Sequence, residues 1–248
     1  MNRRDGGPVL CGGSWKKRRR VNQEERQVRI EGATRIVLRP LASPLPLGFF
    51  AFGMGSLLLS GFQFGLIPPS EAKILALLFG LFVFPLQALA AVLSFLCREP
   101  LGATALGMIS ASWLAGSAVI YTSPPASTTI SFGIFYIMLS LMLLLLGIAG
   151  LQGKPLISAL ILFATVRYAF NGLYELTALP WTQTTSGVTG CAICLFALYV
   201  GLALVLEDIM HRPVLPFGRR GEALEAIEGD LGQQVGPIEK EAGVRKQL

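Results

Sequence analysis

The sequence predicts an all-α membrane protein: a polytopic bundle of six transmembrane helices with the N and C termini cytoplasmic. Three observations carry this. The chain is 52% hydrophobic and only 15% charged, with a mean hydropathy of +0.59, whereas a soluble domain carries about 25% charge. The charges are segregated: between Leu41 and Leu206 only Glu71, Lys73, Arg98, Glu99, Lys154, Arg167 and Glu175 are ionised. Short breaks rich in proline and glycine then divide that region into six apolar segments, each long enough to cross roughly 30 Å of hydrocarbon.

Residues 1–40 form a basic arm with Lys16-Lys17-Arg18-Arg19-Arg20 followed by Arg26, Arg29, Arg35 and Arg39. No apolar run follows the first cluster, so the arm is not read as a cleaved signal peptide. It is expected to be disordered and to fix topology, or to hold anionic lipid headgroups. The net charge of +6 arises from the flanks, so nucleic acid is not the partner it implies; the lipid bilayer is.

The transmembrane domain is predicted over 41–218. Its first span, Leu47–Ile67, follows the proline-locked run Ser43-Pro44-Leu45-Pro46-Leu47-Gly48. Its glycines at 48, 53, 55, 61 and 65 allow close approach of another helix or of a solute. Spans follow at Ile74–Leu96, Ala103–Tyr121, Ile130–Gly150, Leu156–Leu179 and Val188–Leu206. The breaks carry Pro68-Pro69-Ser70, Arg98-Glu99-Pro100, Ser123-Pro124-Pro125, Gln152-Gly153-Lys154-Pro155 and Pro180-Trp181-Thr182. With six spans, Arg98, Lys154 and the tail arginines share the arm's side and only Lys73 lies opposite, which puts both ends in the cytoplasm. Residues 219–248 read as a charged, flexible tail.

No catalytic set is visible, and no enzyme is expected. The lone histidine, His211, stands outside the spans, and no metal or cofactor motif is present. Cys191-Ala-Ile-Cys194 lies in an apolar helix without a second pair and reads as packing. The informative residues are ionisable or polar groups within spans. Arg167 stands near the centre of the fifth span, where a charge costs several kcal/mol and is kept for a polar path or a partner. Two readings stay open: an anion-attracting group on a passage or subunit contact, or a structural bridge to a carbonyl or to Gln87. Glu175, about 12 Å further along the helix, is too far for direct pairing. Gln87 follows Pro85, whose ring frees a carbonyl one turn earlier; it satisfies backbone or lines the path. Trp113 reads as packing.

These residues resemble the acetate uptake transporter family, which includes succinate–acetate permeases. The resemblance covers 41–218. Ser43-Pro44-Leu45-Pro46-Leu47-Gly48 is similar to the family's Asn-Pro-x-Pro-Leu-Gly, and Phe52-Gly53-Met54, Gln87, Leu101-Gly102-Ala103-Thr104-Ala105 with Trp113, and Val214-Leu215-Pro216-Phe217-Gly218 also match. The resemblance implies a six-helix protomer in a plasma-membrane homo-oligomer, a hexamer, with a path for small monocarboxylates in each protomer. It implies a constriction formed by Phe52, by Ile109 at the position of a family tyrosine, and by a fifth-span residue near Val166–Tyr168. Four departures stand out: Ser43 for asparagine, Ser60 for asparagine, Val83-Phe84 for a glycine pair, and Arg167. With the tyrosine hydroxyl gone, Arg167 is the substitute donor for a carboxylate that sheds its water. The expected function is transport of a small organic anion such as acetate or succinate, with Glu175 the candidate for proton coupling. The alternative is a membrane interaction or structural protein of the same fold that has lost transport.

Overall fold

The computed structural model describes residues 42–97, 99–124, 127–210 and 212–218. The basic arm, Arg98, His211 and the tail 219–248 lie outside these residues. Among the described residues six helices are long and apolar enough to cross a membrane: α1 (Leu45–Gln63), α2 (Pro69–Leu96), α3 (Pro100–Thr122), α4 (Ile130–Gly150), α5 (Pro155–Thr177) and α6 (Pro180–Met210). Among the described residues there is no strand.

The breaker residues turn out to start helices rather than merely to separate them. α2, α3, α5 and α6 each open on a proline, which suits the first helical position because its missing N–H has no partner there in any case. This corrects the sixth span: Pro180-Trp181-Thr182 is not a break but the first turn of α6, which runs on past Leu206 through Glu207 and Asp208 to Met210. The turn lies just before it, where Ala178 adopts a left-handed conformation (φ 54°) and closes α5. The polar residues that disguised this start fold their hydroxyls back onto their own helix: Thr182 onto Leu179 O, Thr184 onto Pro180 O and Thr185 onto Trp181 O. The first span is shorter than expected, ending at Gln63 before Gly65 turns the chain with φ 75°.

α2 is not uniform. Pro85 has no N–H to offer and its ring crowds the preceding turn. The helix responds by widening to a π turn over Phe79–Val83, where Phe84 N–H reaches back to Phe79 O. Ser117 Oγ of α3 donates to Ala76 O, 2.6 Å, beside this bulge.

The six helices stand in a ring in chain order, each packed on the next, and the ring closes with α6 against α1. Small and polar residues face inward; large apolar ones such as Leu57, Leu81, Phe95, Ile130 and Leu195 face outward, as a lipid-facing surface requires. A single apolar core runs through the ring, including Phe52, Phe79, Leu106, Ile109, Leu160 and Ile193. The chain after α6 returns to it: Tyr199 Oη donates to Pro216 O, 2.9 Å, and Phe217 is buried in the core.

α4 and α5 are drawn together at glycines. A Cβ on Gly172 would stand 2.9 Å from the Gly133 carbonyl oxygen, which cannot move aside as a side chain can. Gly172→Ala is therefore expected to destabilise the bundle by about 1–3 kcal/mol. Gly107→Ala, whose Cβ would meet nothing closer than 3.7 Å, is expected to be neutral or to gain up to about 1 kcal/mol of helix propensity. Thermal unfolding in detergent, followed by tryptophan fluorescence, measures both.

Candidate functional site

Among the described residues the ring carries a cavity toward each end and a much smaller one beside the first. The larger cavity, about 240 Å³, opens at the end where α1, α3 and α5 finish. Its walls include Gln63, Lys73, Asn171, Tyr174, Glu175 and Gln183. A second cavity, about 210 Å³, lies at the opposite end beneath Ser43, Pro44, Glu99, Lys154 and Phe217. Glu99 and Lys154 form an ion pair there. Below the first cavity is a third of about 10 Å³, lined by Ser112, Trp113, Tyr136, Arg167, Tyr168 and Asn171 among others. Leu59, Ile120, Tyr136 and Asn171 line both it and the vestibule, so the two are continuous in their walls.

Arg167 is 1% exposed. Its Nη1 donates to Ser56 O at 3.2 Å and to Ser60 Oγ at 3.4 Å, while Ser60 Oγ donates to Ser56 O at 2.8 Å. Ser56 and Ser60 are one turn apart on α1, so a single face of that helix holds the guanidinium. Its other Nη2 has no partner, and no carboxylate among the described residues pairs with it. α6 makes room through Gly190, where a Cβ would overlap both the guanidinium and Ser60 Oγ. Of the two sequence readings of Arg167, a bridge to a carbonyl exists, but Gln87 takes no part in it. Gln87 is fully buried and donates instead to Gly48 O, 3.3 Å, on α1.

One turn above Arg167 on α5, Asn171 Oδ1 accepts from Gln63 Nε2 at 2.8 Å and from Ser186 Oγ, tying α1, α5 and α6 at the floor of the vestibule. Next to Arg167, Tyr168 Oη shares a 2.7 Å hydrogen bond with Ser112 Oγ, which also donates to Ile109 O. Tyr168 stacks obliquely on Tyr136, 5.6 Å between centroids. Glu175 stands apart in the vestibule and accepts from the Thr129 N–H, 2.7 Å.

The three residues expected at the constriction are all buried: Phe52 and Ile109 at 2%, Tyr168 at 4%. They do not share one level. Phe52 is one turn below Ser56 and Ile109 one turn below Trp113, about 6 Å further from the vestibule, and neither lines the small cavity. At that lower level α5 presents the fully buried Ala164. Val166 is 40% exposed and faces away from the passage. Within the proline motif, Pro44, Pro46 and Gly48 are buried, Ser43 and Pro44 line the second cavity, and Leu47 is exposed. The sequence reading passed over Gln63, Tyr136 and Ser186 as site residues. Only Gln63 and the Arg167-to-Asn171 spacing of one helical turn offered a signal.

The model of the GPR1/FUN34/yaaH family matches residues 27–215. An uncharacterized protein of Methanothermobacter thermautotrophicus is 27% identical over 186 residues, covering 71% of this chain and 90% of its own. A solved structure described as that of the bacterial acetate channel SatP superposes with a TM-score of 0.64, covering 72% of this chain and 99% of its own, at 23% identity. That likeness shows the fold.

Gly190→Ala is expected to cost about 1–3 kcal/mol of stability, because the new methyl must displace the guanidinium or Ser60. In an Arg167→Ala background the same change is expected to cost markedly less, since the group it collides with is gone. A double-mutant cycle of thermal unfolding in detergent measures the difference.

Proposed function

The chain belongs to the GPR1/FUN34/yaaH family, and from that premise we propose that it carries small monocarboxylates such as acetate, with the dicarboxylate succinate a second candidate, through a passage in each protomer. The observation that carries this reading is one arrangement. Two cavities at opposite ends of the helix ring are separated by a buried apolar layer at Phe52 and Ile109, with a buried guanidinium on the vestibule side of it. The solute described for the SatP structure supports acetate as the first substrate to test.

A carboxylate entering the vestibule meets amide groups at Gln63 and Asn171 and then the Arg167 guanidinium, which replace its lost water. The apolar layer below is the barrier, and passage requires Phe52 and its neighbours to change rotamer. The solute leaves beside the Glu99–Lys154 pair. Glu175 is the one carboxylate lining the vestibule, and it is our candidate for coupling solute movement to a proton. The distribution of lysine and arginine supports cytoplasmic termini, a plasma-membrane setting is the natural one for such uptake, and the outward apolar faces leave room for a hexamer.

One observation favours the second reading, a protein of this fold whose passage no longer conducts. The space beside Arg167 is about 10 Å³, room for one water-sized group. Flux separates the two. The purified protein in liposomes at a pH of about 8, where carboxylic acids are almost wholly ionised, is expected to take up labelled acetate faster than protein-free vesicles. Rates equal to those of protein-free vesicles for formate, acetate, propionate and succinate alike would overturn transport.

Two variants test the residue roles in the same assay. Arg167→Ala is expected to lower acetate flux at least tenfold, the scale of a lost charge-assisted hydrogen bond; flux equal to the parent's removes Arg167 from the path. Glu175→Gln is expected to flatten the dependence of flux on pH between about 5 and 8. A preserved profile rules out coupling at that carboxylate.

A further inference from the structure

We propose that Trp113 and Arg167 together form a subsite for the head of a small planar oxyanion, such as formate, acetate or nitrate. This rests on the transport reading for its biological use, but not for its chemistry. Two side chains from different helices carry the argument. Trp113 is 4% exposed and its Nε1 has no partner; Arg167 is 1% exposed and its Nη2 has none. Both residues line the same cavity of about 10 Å³.

Indole and guanidinium are donors only, so neither can satisfy the other. The neighbouring polar atoms do not relieve them. Ser112 Oγ is engaged with Tyr168 and Ile109 O, and Asn171 Oδ1 already accepts from Gln63 and Ser186. The Tyr136 hydroxyl also lines the cavity but is a neutral acceptor, and the positive charge makes an anionic acceptor the best fit. The opposite edge of the guanidinium is fixed by Ser56 O and Ser60 Oγ, so the free edge is held in place before any ligand arrives.

Size sets the class. The cavity admits one water-sized group, so a single carboxylate oxygen enters it, and the planar head behind that oxygen displaces the walls less than the three remaining oxygens of a tetrahedral phosphate. The shared walls at Tyr136 and Asn171 leave the rest of the molecule in the vestibule. The subsite therefore selects the head group, while a one- or two-carbon tail is tolerated. Trp113, read from sequence as packing, becomes a specificity-determining residue.

The test uses the full-length protein in detergent and does not depend on transport. Sodium formate and sodium phosphate are titrated separately at constant ionic strength, reading the indole N–H resonance of Trp113, assigned through its loss in Trp113→Phe. Formate is expected to shift that resonance saturably and phosphate to leave it unmoved. The apparent Kd for formate, read from the shift of thermal unfolding, is expected to rise about tenfold in Trp113→Phe and several-fold in Arg167→Lys, which keeps the charge but not the fork. A Trp113 resonance indifferent to formate, an equal response to phosphate, or an unchanged Kd in both variants would overturn the proposal. Formate binding with these signatures in a protein that shows no flux removes the transport reading alone. Normal flux with Trp113 indifferent to formate removes this subsite alone.

Discussion

The arrangement depends on a positive charge kept inside a ring of apolar helices. A guanidinium at that depth costs several kcal/mol unless its surroundings compensate, and the surroundings of Arg167 are shaped accordingly. α1 turns a carbonyl and a hydroxyl toward it, and α6 withdraws a side chain altogether at Gly190. Three helices are thus fixed in rotation and height by one side chain. The compensation is incomplete, because only one of the two terminal nitrogens is satisfied. In a medium of low dielectric constant such a residual charge acts strongly on whatever comes near.

The two halves of the ring divide the remaining work. Toward the vestibule, polar contacts cross the interior: Gln63 to Asn171 to Ser186, and Tyr168 to Ser112. Toward the other end the interior is close-packed with Phe52, Leu106, Ile109 and Ala164. An anion moving along this axis would find a favourable region followed at once by a layer that offers it nothing. On the transport reading proposed above, such a layer would suppress leakage of water and ions when no solute is moving, and the selective contacts would stand ahead of the barrier rather than within it.

Much of this was legible in the chain. Six hydrophobic runs and their proline breaks identify six helices because length and hydropathy are local properties. The start of α6 was missed because Thr182, Thr184 and Thr185 look like a loop; only the folded helix shows their hydroxyls returned to its own carbonyls. Arg167 was conspicuous as a charge in an apolar span. Its partners were not, since Ser56 and Ser60 lie more than 100 residues away in sequence and nothing local announces the pairing. The separation of Glu175 from Arg167 followed from helical rise. The staggering of Phe52 and Ile109 against Tyr168 did not, because it depends on how far each helix slides along its neighbours.

The widened turn in α2 governs which way the rest of that helix looks. At about 100° per residue, a regular helix would leave Gln87 roughly 80° out of line with Phe79. The π turn takes up one additional residue and rotates the lower portion back, so that Phe79 meets Trp113 (4.9 Å between ring centroids) while Gln87 still reaches Gly48. Excising a single residue from Phe79–Val83 would therefore leave a straighter, more ordinary helix with Gln87 still facing Gly48. Winding the same residues regularly with none removed would instead turn the glutamine away and bring Leu86 toward its place, so the irregular segment is what lets the full-length helix keep its polar group inside.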